Sequence, residues 1–88
     1  MARKYILDTH ALIWYLEGNP RLGAAAKAVM EAPDSEKILP LIALAEAVDI
    51  VNKGRTSLPS VSALINDVTS DQRLELYQGN RAINKQRP

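Results

Sequence analysis

The apolar positions switch between two periods along the chain, and the switches mark the elements. Tyr5-Ile6-Leu7 is an apolar run too short for a helix and ends at a carboxylate, which predicts a buried strand over Lys4–Asp8. Thr9 can cap the helix that follows. Leu12, Ile13, Tyr15 and Leu16 give that helix one broad apolar face, and Gly18 stops it. Asn19-Pro20 combines a capping side chain with proline at a first helical position. Leu22, Ala25, Ala26, Val29 and Met30 then recur at helical spacing until Pro33-Asp34-Ser35 breaks the chain. Lys37-Ile38-Leu39 reads as a second strand, closed by Pro40 because proline cannot donate within a ladder. A third helix is expected from Ile42 to Lys53, with Leu41, Leu44, Ala45, Val48 and Val51 on its apolar side and Gly54 as its stop. After a loop over Arg55–Pro59, Ser60 to Val68 reads as a shorter helix burying Val61, Leu64, Ile65 and Val68. Arg73 to Tyr77 alternates as a half-buried strand does.

The resulting order is βααβααβ. Strands separated by helices imply an α/β fold with a parallel sheet and right-handed crossovers. Residues 1–78 are therefore expected to form one domain. Residues 79–88 differ in kind: only Ala82 and Ile83 are apolar, so a polar, basic, disordered tail is expected there. The abrupt change after a good strand, where such a fold normally starts another helix, leads us to expect a truncated domain.

Composition narrows the classes without choosing a function. Eighty-eight residues suffice for one domain of modest stability. The core must be aliphatic, since the chain has no Phe, one Trp and three Tyr. With no cysteine, disulfides and thiolate metal sites are excluded, which fits a cytoplasmic location. Arg3 and Lys4 before an apolar stretch imitate a signal peptide, but Asp8 and His10 interrupt it too early. No run is long enough to span a bilayer, so no membrane partner is expected. The net charge of +1 is unevenly placed: residues 1–78 hold eight basic and ten acidic side chains, whereas Arg81, Lys85 and Arg87 follow without an acid. The body has no basic footprint for tight nucleic-acid binding, so any RNA contact must be local or metal-mediated.

Candidate chemistry lies where open parallel sheets gather ligands, at the carboxyl ends of the strands. Asp8 ends the first strand, and Glu46 lies in the helix leaving the second. Two carboxylates from neighbouring units can converge there on a hard cation, which takes oxygen ligands and completes its shell with water. A plainer account is also open. Asp8 favours a helix N-terminus by charge and capping alone, and Glu46, Asp49 and Lys53 have the spacing of a solvated helix face.

The local sequences add a resemblance. Tyr5-Ile6-Leu7-Asp8-Thr9-His10-Ala11-Leu12-Ile13-Trp14 resembles the opening strand and helix of PIN-domain proteins, especially VapC-type toxins of bacterial toxin–antitoxin pairs. Ile38-Leu39-Pro40-Leu41-Ile42-Ala43-Leu44-Ala45-Glu46 resembles that family's second strand and Glu-bearing helix. Val51-Asn52-Lys53-Gly54-Arg55, then Leu58-Pro59, matches how such helices end, and the likeness runs to about residue 77.

The resemblance implies a PIN-like three-layer α/β/α fold and a ribonuclease dependent on Mg²⁺ or Mn²⁺. It implies Asp8 as a catalytic carboxylate and metal ligand, and Glu46 as a second ligand or as the group orienting a water. Thr9 would support them by orienting Asp8 or a water, its capping role remaining open. An RNA substrate and an antitoxin protein are the implied partners. His10 is set aside as a base, because a histidine at a helix start packs or faces solvent. Trp14 reads as core or partner-binding surface rather than a base-stacking platform, and Asp49 as solvated. Lys53 and Arg55 read as complements to a helix C-terminus rather than phosphate ligands.

This chain departs from the family in having no Asp or Glu after Glu75, where the family places its third and fourth acidic residues. The resemblance then implies an incomplete site, holding one ion at most, and leaves enzymatic status open between residual nuclease and inactive remnant. Uncovered sheet edges and helix faces would favour a homo-oligomer, a dimer above all.

Overall fold

The computed structural model describes residues 3–78 and 81–83. The elements run β1 (Arg3–Ile6), α1 (Thr9–Glu17), a 3-10 turn (Pro20–Leu22), α2 (Ala24–Glu31), β2 (Ser35–Pro40), α3 (Leu41–Asn52), α4 (Val61–Ser70), β3 (Leu74–Gln78) and β4 (Arg81–Ile83). The sheet order is β1-β2-β3-β4. The first three strands are parallel, as the βααβααβ pattern requires, and helices flank them.

Two local departures have physical causes. The predicted helix beginning at Asn19-Pro20 is split. Asn19 does cap its start, accepting from the Arg21 N–H at 2.9 Å, but Gly23 at φ 87° takes a left-handed conformation that no helix continues through. Pro40 ends β2 as expected, as its last residue opposite Tyr77, at the end of a ladder where a missing donor costs little. The change of composition at residue 79 does not end the sheet. Arg81–Ile83 pair antiparallel with β3, Leu76 opposite Ile83, in a strand too short to show a period. The tail reading for residues 79, 80 and 84–88 lies outside the described residues.

One aliphatic cluster forms the core. Leu7, Leu12, Ile13, Met30, Leu39, Leu44, Val51, Leu64, Val68 and Leu74 are buried in it, with no aromatic side chain among them. Helix α3 turns a different stripe inward from the one its large residues predict. Ala43 and Ala47 are buried with Leu44 and Val51, whereas Ala45 is exposed and Val48 half-buried. Small residues on that stripe let the helix approach β2 and β3 closely while it also packs on α1 and α4. On α4, Leu64 and Val68 are buried as expected, but Ile65 is 36% exposed.

Strand β2 carries a cation into this core. Its inward face reads Ser35, Lys37, Leu39, and Lys37 is 1% exposed. The ammonium meets Asp71 Oδ2 at 2.7 Å, donates to the Met30 carbonyl at 3.3 Å, and stands 5.5 Å from the centre of the Tyr15 ring. Ser35 Oγ donates to the Val29 carbonyl, and the Arg73 guanidinium to that of Ala32 at 3.2 Å. The last turn of α2 contains no basic residue of its own, so side chains from β2 and from the approach to β3 satisfy its terminal carbonyls and complement its dipole.

Candidate active site

Parallel pairing sets the position of the first carboxylate. The Leu7 N–H reaches the Ile38 carbonyl at 2.8 Å, so β1 stays attached to β2 until one residue before Asp8. Asp8 then leaves the sheet at its carboxyl end and caps α1, its Oδ1 accepting from the Ala11 N–H at 2.7 Å. Thr9, expected as the cap, is not: Asp8 occupies that position in extended conformation, and Thr9 is the first helical residue.

Thr9 has another task. It is 7% exposed, and its hydroxyl lies 2.9 Å from Glu46 Oε1 and 3.3 Å from the Ala43 carbonyl. The hydroxyl therefore donates to Glu46 rather than orienting Asp8. Glu46 sits on the second turn of α3, which begins directly after Pro40, and its carboxylate is held from across the helix pair by α1.

Asp8, Thr9 and Glu46 line one open cleft of about 550 Å³, together with His10, Ala45, Asp49 and Ile50. Asp8 and Glu46 are both exposed. His10 is exposed and sits against Trp14 at 5.8 Å between ring centres. Asp49 also faces the cleft but pairs with Lys53 at 2.9 Å, one helical turn on. The sequence reading overlooked Ile50, although its place four residues after Glu46 puts it on the same helix face.

The donor set fits one hard cation. Each carboxylate uses one oxygen for a protein hydrogen bond, Asp8 Oδ1 with Ala11 and Glu46 Oε1 with Thr9. Asp8 Oδ2 and Glu46 Oε2 have no partner among the described residues, and two such oxygens with water suit Mg²⁺ or Mn²⁺. Among the described residues there is no group of three or more metal-ligating side chains, so the set does not provide a closed cage.

The comparison with protein families decides the relationship. The sequence profile of the PIN domain matches residues 5–83. The chain belongs to the PIN domain family. The match covers both carboxylates and all four strands except the first residues of β1, and it extends beyond residue 77, where the likeness read from the sequence stops. PIN domains serve nuclease-type functions and generally use divalent metal ions. No curated protein and no solved structure matches this PIN domain. No helix among its described residues is long and apolar enough to cross a membrane.

Proposed function

We propose that this PIN domain is a VapC-type ribonuclease relative that uses Asp8 and Glu46 to hold one Mg²⁺ or Mn²⁺ ion beside an RNA phosphodiester. The observation that carries this reading is the shared cleft, in which each carboxylate keeps one oxygen clear of protein partners. Such an ion supplies Lewis-acid activation of water and neutralises charge on the phosphate when bound. The chain's own contribution is placement. The cap to Ala11 fixes Asp8, and the Thr9 hydroxyl fixes Glu46, so neither must be ordered when RNA arrives. With two carboxylates as its ligands, the ion keeps water on the rest of its shell. The cognate partner on this reading is an antitoxin in the cytoplasm.

Calorimetric titration with Mg²⁺ and Mn²⁺, beside the Asp8→Asn variant, tests the site. Saturable binding in the parent and none in the variant is the expected result. An RNA cleavage signal that survives Asp8→Asn comes from a contaminant and removes the nuclease reading.

One observation favours a second reading, an inactive module that binds an antitoxin or a second copy of itself. Strand β1 is at the sheet margin, and its Ile6 is 76% exposed. Apolar surface beside an open edge is what a protein-binding module presents. Sedimentation separates the readings: on the second, the chain associates and cleaves no RNA with either metal.

A further inference from the structure

A second groove, of about 330 Å³, opens beside the carboxylate cleft and shares His10 and Ile50 with it. Its distinctive side chains are Trp14, Glu17, Arg21 and Arg55. Trp14 is half-buried and leans on His10 at an interplanar angle of 50°. Arg21 and Arg55 are exposed, and neither guanidinium has an ion-pair partner among the described residues. The groove thus combines an aromatic surface with two uncommitted cations, on a body whose net charge is otherwise negative.

The two arginines are positioned by polar contacts that do not consume their charge. Glu17 Oε2 accepts from Thr56 Oγ1 at 2.7 Å and from the Ser57 N–H at 2.9 Å, which ties the turn after Arg55 to the end of α1. Its other oxygen accepts from Asn19 Nδ2 at 3.1 Å. Asn19 in turn accepts from the Arg21 N–H and sets the start of the 3-10 turn. The one carboxylate in the groove is therefore occupied by neutral donors, which hold its pKa down at about 2, and it pairs with neither arginine.

We infer that this groove binds the single-stranded nucleic acid flanking the cleft, with a base stacked on Trp14 and phosphates met by Arg21 and Arg55. Every base has a face to stack, and backbone charge needs only local cations, so the pairing is tolerant of sequence. A protein partner is the competing occupant. The continuity with the carboxylate cleft and the separate, unpaired arginines favour a strand that passes from one to the other. The inference deepens the nuclease reading by naming what lies beside its site.

Trp14 is the only tryptophan, so its fluorescence reports on the groove alone. The Asp8→Asn chain, in EDTA, is titrated with oligouridylate, oligothymidylate, duplex RNA and an oligoglutamate peptide. Saturable quenching by the single strands, weaker with duplex, is expected. The salt slope should fall by about 0.7 for each of Arg21→Gln and Arg55→Gln, because each variant neutralises one phosphate fewer. In Trp14→Leu, followed by anisotropy of a labelled strand, affinity should fall about tenfold. Both arginine sites are exposed, and circular dichroism checks that the variants remain folded. Equal binding of the two single strands means that phosphate and stacking suffice, and a preference for RNA adds a 2′-hydroxyl contact; either supports the inference. No quenching by single strands, an unchanged salt slope in both arginine variants, or quenching by oligoglutamate alone overturns it. The two proposals fail separately. Quenching without cleavage by the parent chain leaves the groove and removes the nuclease, whereas cleavage without quenching does the reverse.

Discussion

At the scale of single residues, Asp8 has two roles that one substitution separates. As a cap it needs only a side-chain oxygen for the Ala11 N–H, which Asn supplies as well as Asp. As a metal ligand it needs the negative charge. Asp8→Asn should therefore melt within about 2 °C of the parent while losing metal binding, and Asp8→Ala should lose both. Thermal melts beside calorimetry check this; a destabilised Asp8→Asn would mean that its charge serves the fold. Thr9→Val keeps the volume at a buried position but removes the donor to Glu46. The expected cost is about 1 kcal/mol in stability with at least a severalfold weaker metal affinity, read in the same two experiments. Unchanged affinity would show that Glu46 does not depend on Thr9.

At the scale of elements, the junction of α1 with the turn at Thr56-Ser57 depends on Glu17. The hydrogen bond from Thr56, then the Ser57 N–H and Asn19, lower its pKa from 4.5 to about 2, with partial burial opposing them weakly. A carboxyl lowered by folding stabilises the fold above its unfolded pKa, and that contribution disappears as pH falls through the folded value. Glu17 should thus hold the junction fully above pH 4.5 and progressively lose it down to about pH 2. In urea titrations, Glu17→Gln should be less stable than the parent at neutral pH, with the difference shrinking across that window. A constant difference would remove the titration argument. Asp71 follows the same sign. Burial raises its pKa, but the hydrogen bonds from Lys37 and the Arg73 N–H and the charges of both residues outweigh that, leaving it below 3.8.

At the scale of the whole molecule, the Lys37–Asp71 pair ties β2, the end of α4 and the last turn of α2 together. Asp71→Asn leaves a buried ammonium without its counter-charge. A loss of about 3 kcal/mol is expected, at the lower end for a buried pair because Asp71 remains 24% exposed. That is a large share of what an 88-residue fold has, roughly 4–13 kcal/mol. Lys37→Met combined with Asp71→Leu should recover most of it; if the double variant is as unstable as the single one in denaturant, the pair is not the cause. The sequence by itself determined the order of the first three strands and the helices between them, their parallel pairing and the aliphatic core, and it pointed to the carboxylates Asp8 and Glu46, because period, caps and breakers are local signals. It did not show Lys37 as buried: alternation places it beside Leu39, but only the approach of Asp71, Met30 and Tyr15 makes a cation tolerable there. Nor did it show that Thr9 serves Glu46 or that Glu17 holds Thr56 and Ser57, contacts separated by more than thirty residues in the chain. Those were decided by tertiary structure, because a hydrogen bond between distant segments depends on how α1 and α3 pack and leaves no periodic trace in either one.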